Sequence, residues 1–256
     1  MSCSSISASI APCNATQIHW RSIASHALRS HPSVAIIIGA NTGSVSTDPS
    51  FRWLAASRFH GIQKVFVEPI ASLHRQLESN IASAHMANAT AVNAAVTSGT
   101  RPVDMYCMSE DETIKAPAWW SQICSLSRER LFSDYDVARG GGVDKASIAA
   151  RIRRTRVPGL TIDDLLRKYV HSPLSSIEYV QIDVEGFDDH VLEYLPFADS
   201  RFGPATIAFE WVLLPDGRRK RATDKLRDRG YELCCDFQNI VAVRGNLVIS
   251  GKLDKG

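Results

Sequence analysis

A chain of 256 residues, 45% hydrophobic and 22% charged, is long enough to bury a substantial core as one domain. Its formal net charge of +2 is too small to argue for a nucleic-acid or membrane partner, and no stretch approaches the roughly eighteen apolar residues of a membrane-spanning helix. The six cysteines, Cys3, Cys13, Cys107, Cys124, Cys234 and Cys235, show no C-x-x-C pair and no partnering histidine spacing. Neither a zinc site nor a disulfide framework is expected, and a reducing, cytoplasmic setting fits best.

The first fifteen residues are rich in Ser and Ala and carry no acidic residue, a composition shared by organelle transit peptides and disordered tails. The lack of a basic residue before Arg21 favours a tail over residues 1–15, then a single domain over 16–245 and a weakly ordered end over 246–256. Ile18, Ile23, Ala24 and Leu28 space a modest amphipathic helix that Pro32 closes. Val34 to Ile38 is a mostly β-branched apolar run that enters Gly39-Ala40-Asn41-Thr42-Gly43. That pattern predicts a strand buried on both faces and ending in a tight turn, where glycine lets the chain bend and a ligand approach. In a doubly wound α/β sheet such a turn lines the crevice beyond the carboxyl ends of the strands, so a nucleotide-like ligand is its natural guest.

Asp48-Pro49-Ser50 opens a helix that runs to Phe59, an acceptor followed by a proline tolerated in the first turn. Lys64 to Glu68 forms the second strand, and Glu68, about thirty residues after Gly39, is placed to accept hydrogen bonds from ribose hydroxyls. A crossover helix from Pro69 to Ile81 carries Ile70, Leu73, Leu77 and Ile81 at helical spacing. Thr90 to Val96 reads as a third strand with Asn93 near its end, an amide suited to an adenine edge. Val103 to Met108 alternates like an extra strand.

Periodicity fails over about 109–158, a region holding Trp119-Trp120, Ser121 to Leu131 and Arg139-Gly140-Gly141-Gly142. An insertion of this length in a compact domain is expected to cover the substrate. Arg151, Arg153, Arg154 and Arg156 read as a solvated face, with an acidic acceptor as the alternative. Thr161 caps the next helix, Ile177 to Gly186 supplies a fourth strand with an acidic end, and Phe187 to Leu195 is helical. Pro204 to Glu210 makes a fifth strand, Arg218 to Arg229 a polar helix, and Tyr231–Cys235 pairs with Asn239–Val243 as an antiparallel hairpin.

Strands alternating with helices and closing on a hairpin define an α/β fold, a Rossmann-like doubly wound sheet, mostly parallel with one antiparallel strand near the C-terminal end. On IIIGANTGS, VFVEP with Leu77 and Asn80, VNAAV, LTIDDLL, IEYVQIDVEGFDDHVL and GYEL, the chain resembles the FkbM family of class I S-adenosylmethionine-dependent methyltransferases. The resemblance spans about residues 33–243. It implies that Gly39, Asn41 and Gly43 pack against the methionine part of S-adenosylmethionine, that Glu68 binds ribose, and that Asn93 lies beside adenine. It also implies a hydroxyl acceptor on a small molecule or sugar. One departure is Gln181, where the family usually has a lysine.

The sulfonium of that donor is a cation, so acidic residues at the carboxyl edge favour its approach. A hydroxyl acceptor is helped by a base, for which Asp183 and Glu210 are the candidate catalytic residues. Glu185 reads instead as a carboxylate stabilised at a helix start. The same oxygens suit a hard divalent ion such as magnesium, although their spacing does not require one. Three rival readings each carry a signature of their own. A nicotinamide-dependent oxidoreductase calls for G-x-G-x-x-G, a nucleic-acid methyltransferase for an aromatic-proline motif after the fourth strand, and a non-catalytic binding module would keep only the fold.

Overall fold

The computed structural model describes residues 10–13, 20–29, 32–44, 49–109, 123–133, 145–236 and 238–245. In chain order the described helices are α1 (Trp20–Leu28), α2 (Pro49–Leu54), α3 (Ala71–Ser83), α4 (Arg130–Ser133), α5 (Lys145–Arg151), α6 (Ile162–Tyr169), α7 (Asp188–Tyr194) and α8 (Asp216–Arg227). The strands are β1 (Val34–Ile38), β2 (Gln63–Val67), β3 (Ala89–Val92), β4 (Ala95–Val96), β5 (Val103–Met108), β6 (Cys124–Ser125), β7 (Ile152–Val157), β8 (Gly159–Leu160), β9 (Ile177–Ile182), β10 (Thr206–Glu210), β11 (Tyr231–Asp236) and β12 (Asn239–Arg244).

A seven-stranded sheet in the order β11-β12-β10-β9-β1-β2-β3 forms the centre. Its pairings are parallel except those of β12, which runs antiparallel to both β10 and β11. β1 is buried at every position because both faces of the sheet are covered. Val34, Ile36 and Ile38 turn to one core, with Val65, Val180, Ile182 and Phe209 and with Leu165, Leu192 and Leu226 from α6, α7 and α8. Ala35 and Ile37 turn to the other, with Phe66, Tyr179 and Ala208 and with Leu28, Phe51, Leu54 and Leu77 from α1, α2 and α3. Each fully buried isoleucine of β1 contributes roughly 1.5–3 kcal/mol. α6 begins where expected, Thr161 Oγ1 accepting from the Asp164 N–H at 3.1 Å.

A lysine lies inside this sheet. Lys64 on β2 is fully buried, and its Nζ donates to the carbonyls of Phe59, Ile62 and Ala87 at 2.7, 3.1 and 2.9 Å. Burial lowers its pKa to about 8, while the three acceptors satisfy every proton of the ammonium.

Several expectations are corrected by the coordinates. The third strand stops at Val92: β4 leaves the large sheet and pairs with β8 instead. The helix opening near Pro49 ends at Leu54, with a separate 3-10 turn at Ser57–Phe59. The described part of the 109–158 insertion is ordered, since β6 and β7 flank β5 in a three-stranded antiparallel sheet. Arg153, Arg154 and Arg156 are exposed on its edge strand β7, and Arg151 is buried. The expected Trp119-Trp120 and Arg139–Gly142 features lie outside the described residues.

The cysteines depart furthest from expectation. Cys13 is bonded to Cys234, across a sequence separation of 221, and Cys107 to Cys124, across 17; Cys235 is also disulfide-bonded. No described cysteine is free, so the expectation of no disulfide framework fails, and with it the premise for a reducing setting. The region expected to be a tail contributes to the sheet. Ile10 is buried, Pro12 bridges Cys235 in parallel, and the Cys235 N–H donates to the Ala11 carbonyl at 2.9 Å. This short strap covers the outer edge of β11, which would otherwise present unpaired backbone groups.

Candidate active site

At the carboxyl ends of β1, β2 and β9 lies a pocket whose described lining includes Ile38, Gly39, Asn41, Glu68, Pro69, Leu73, Ala94–Val96, Met105, Cys124, Leu126, Asp183, Glu185 and Phe187. Its position is the crevice in which doubly wound sheets bind ligands. The pocket has two unlike sides.

One side is the β1 turn with the end of β2. The Gly39 and Ala40 N–H groups both donate to the Val67 carbonyl at 2.9 Å, which folds the chain back across β2. Gly39 has φ +85°, and a Cβ there would stand 1.6 Å from the Asp183 carbonyl oxygen, so no other residue fits. Asn41 also takes a positive φ, of 50°, a conformation asparagine tolerates better than most residues. Its N–H donates to Glu68 Oε2 at 2.9 Å, and its own Oδ1 accepts from the Thr42 N–H at 2.7 Å. Asn80 of α3 donates to the Thr42 carbonyl at 2.7 Å, tying helix to turn.

Glu68 is 5% exposed. Its Oε1 accepts the Ile70 N–H at 2.8 Å, so each carboxylate oxygen holds one backbone donor and keeps lone-pair capacity for another. Burial raises its pKa to about 7 against the lowering effect of the two N–H groups. Asn93 Nδ2 donates to the carbonyls of Glu68 and Pro69, both at 2.9 Å. Its amide therefore holds the turn that carries Glu68, which is also why β3 breaks there.

The other side is the turn from β9 into α7 and the end of β10. The Asp183 N–H donates to the Ile38 carbonyl at 2.8 Å, extending the β1–β9 pairing to the pocket edge. Glu185 and Gly186 both have positive φ, 55° and 91°. Asp188, completely buried, braces this turn by accepting from the N–H groups of Val184 and Gly186 at 3.3 and 3.2 Å. Arg218 donates to the Gly186 carbonyl at 3.1 Å and pairs with Asp189. From across the pocket, Ser125 Oγ donates to the Glu185 carbonyl at 2.9 Å, and Arg130 pairs with Glu185 Oε2 at 2.7 Å.

Glu210 ends β10 beside this group, 8% exposed, with Oε2 buried and without a hydrogen-bond partner. Its carboxyl is held well above the usual range, first by burial and then by repulsion from Asp183, Glu185 and Asp188; Arg130 opposes the shift. Asp188 is raised for the same reasons, burial first and the Asp183 charge next. Like charges confined this closely do not all ionise. Among the described residues no group of three or more His, Cys, Asp or Glu side chains is arranged to hold a metal ion.

Of the residues singled out from sequence, Gly39, Asn41, Glu68 and Asp183 meet on the pocket wall, whereas Gly43, Asn93 and Glu210 are not in its described lining. A Cβ on Gly43 would meet Leu77 and Phe51 at 2.5 and 2.7 Å, so this glycine serves the packing of α2 and α3 on the turn. Gln181 accepts a hydrogen bond from Tyr179 Oη at 3.0 Å and is likewise outside the described lining. Asp188 was missed: it opens α7 but accepts from Val184 and Gly186, which precede the helix, so it carries no N-cap signature. Arg130, Ser125 and Cys124 carried no local signal.

The strand order, the single antiparallel strand β12 and the pocket at the β1 turn together define the class I methyltransferase fold. The chain belongs to the FkbM methyltransferase family: the model described as "Methyltransferase FkbM domain" matches residues 38–233, more than half of the chain. Among solved structures, the precorrin-6y C5,15-methyltransferase from Geobacter metallireducens GS-15 is similar at 16% identity, with 88% of this chain and 87% of that one covered and a TM-score of 0.40. The METTL16 MTase domain is similar at 10% identity, with 90% and 66% covered and a TM-score of 0.42. No curated protein sequence matches the chain. No helix among the described residues is long and apolar enough to cross a membrane.

Proposed function

We propose that this protein is an S-adenosylmethionine-dependent O-methyltransferase acting on a hydroxyl group of a small molecule or sugar. The observation that carries the reading is the pocket itself: a cleft at the carboxyl ends of the strands, lined by Glu68, Asp183 and apolar side chains, beside a glycine that lets the β1 turn pack directly on the Asp183 backbone. Family membership implies the donor, and the residues present fit it. Pro69, Leu73, Ala94–Val96 and Leu126 offer an apolar bed for a purine, Glu68 has lone pairs for ribose hydroxyls, and the acidic side suits a cationic sulfur. When bound, the donor supplies an electrophilic methyl group.

The chain's own residues do the rest by positioning and proton transfer. Asp183 stands at the strand end that faces the pocket and takes the proton of the acceptor hydroxyl as its oxygen becomes a nucleophile. Arg130 holds Glu185 aside, so that Glu185 fixes the turn. Burial first, and then the charges of Asp183, Glu185 and Asp188, favour the neutral form of Glu210 beside Asp183. Holding the reactants in line supplies much of the acceleration. The disulfides support an oxidising setting for the reaction.

The test is transfer of an isotope-labelled methyl group from S-adenosylmethionine to a panel of hydroxylated metabolites and sugars, with Asp183→Asn as the control. Labelled product that depends on Asp183 supports the reading. Donor binding, seen as a raised melting temperature, without transfer to any panel member overturns the O-methyltransferase assignment.

A further inference from the structure

The wall of the pocket opposite the sheet is a short segment, residues 123–133, carrying β6 and α4. Cys124 and Leu126 face the pocket, Ser125 and Arg130 grip Glu185, and the Arg130 Cδ lies 3.2 Å from where a Cβ on Gly186 would stand. This segment therefore caps the pocket and clamps the Asp183–Gly186 turn. Its described pairing with β5 is short. β6 meets β5 at Tyr106↔Ser125 and Cys107↔Cys124, the Met108 N–H donates to the Ile123 carbonyl at 3.2 Å, and a small cluster of Met108, Ile123, Leu131 and Ile148 lies beneath it. A two-residue ladder is marginal by itself. The covalent anchor is the Cys107–Cys124 disulfide.

Both sulfur-bearing residues are half-buried rather than enclosed. Arg153 on β7 is the register partner of Cys107 on β5, so the two side chains leave the same face of that ladder as neighbours, and Arg153 is exposed. A guanidinium beside Cys107 favours its thiolate, making it the better leaving group in exchange.

We propose that Cys107–Cys124 is a reducible latch on the cap of the donor pocket, opened by a dithiol reductant, and that opening it weakens donor binding. A reductant thiolate attacks the Cys124 sulfur, and Cys107 leaves as a thiolate that takes up a proton. The second thiol of the reductant then resolves the mixed disulfide, releasing the Cys124 thiol and the oxidised reductant, with two electrons and two protons transferred in all. With the latch open, Arg130 and Ser125 reach Glu185 in only a fraction of molecules, and donor affinity falls in proportion to that fraction.

The effect on affinity rests on the donor reading given above, so the experiment has one readout that does not. Full-length oxidised protein is titrated with dithiothreitol, while hydrogen exchange is followed by mass spectrometry over 123–133, 183–186 and β1, and S-adenosylhomocysteine binding is followed by calorimetry. Reduction is expected to speed exchange in 123–133 and 183–186 while β1 stays protected, and to weaken S-adenosylhomocysteine binding about tenfold. The Cys107→Ser/Cys124→Ser pair reproduces both effects without reductant and responds no further. The latch is overturned if exchange over 123–133 ignores reduction, if the serine pair binds as tightly as the oxidised protein, or if loss of the bond unfolds the whole sheet, which is the behaviour of a brace. An oxidised protein that binds no S-adenosylhomocysteine, yet shows the local change in exchange, breaks the donor reading and leaves the latch standing.

Discussion

The two sides of the pocket are built by opposite rules. On the β1–β2 side, the polar groups around Glu68 meet backbone partners at 2.7–3.0 Å, and the turn is further fixed by a glycine with no alternative. On the β9–β10 side, carboxyl groups crowd together, Glu210 Oε2 has no partner, and order is imposed from outside by Arg130 and Arg218. The first arrangement is a rigid mould whose shape is its function. The second keeps charge in tension, the condition under which carboxyl pKa values are displaced.

The comparison breaks most sharply at Gly39. Gly39→Ala forces a Cβ against the Asp183 carbonyl and is expected to cost at least about 3 kcal/mol, read as a lowered urea midpoint. An alanine variant as stable as wild type would show that the mould yields. Next in size is Asp183→Asn, expected to reduce kcat by about 10²–10⁴-fold while donor binding, measured by calorimetry, changes little. Equal losses in both would merge the two sides into one.

Glu68→Gln is expected to weaken donor binding about tenfold. Its pH behaviour is more telling. Folded Glu68 holds its proton up to about 7 against an ordinary glutamate value of 4.5, so its contribution to stability is full below the lower value and is lost as pH rises through the upper one. Donor binding to the carboxylate follows the reverse course, strengthening as pH rises through about 7. Melting temperature and affinity thus move in opposite directions over this window, and both trends should vanish in the glutamine variant. The smallest effect belongs to Glu210→Gln. A group held neutral when folded is replaced by a neutral isostere, so below about pH 4.5, where the unfolded carboxyl is protonated too, stability should change by less than about 0.5 kcal/mol. Wild type alone should lose stability as pH rises above that value, since a raised folded pKa makes the folded state the tighter proton binder; an equal loss in the variant would place that titration elsewhere.

The mould was far more legible in the sequence than the charged side. Val34–Ile38 and Lys64–Val67 announce buried strands by composition, and Gly39 and Glu68 sit at their ends, where the topology puts ligands. Asn93 was located correctly near a strand end, yet TAVNAAV has no glycine or proline to mark a break. The break arises because its amide prefers two carbonyls from the neighbouring loop. On the charged side, Asp183 and Glu210 were visible as strand-end carboxylates, but Arg130 reaches Glu185 over 55 residues, a distance no local pattern encodes. The disulfides were hidden for the same reason, because pairings at separations of 17 and 221 follow from tertiary proximity and leave no spacing signature.

The strap at Ile10–Cys13 imposes a timetable on synthesis. The bond between Cys13 and Cys234 joins residues 221 apart, so it closes only after nearly all of the chain has been made, and until then the last edge of the sheet has no cover. A nascent chain must therefore keep an early thiol in reserve while the interior assembles around β1. A ribosome stalled before β11 would hold a chain whose outermost seam is still unsewn.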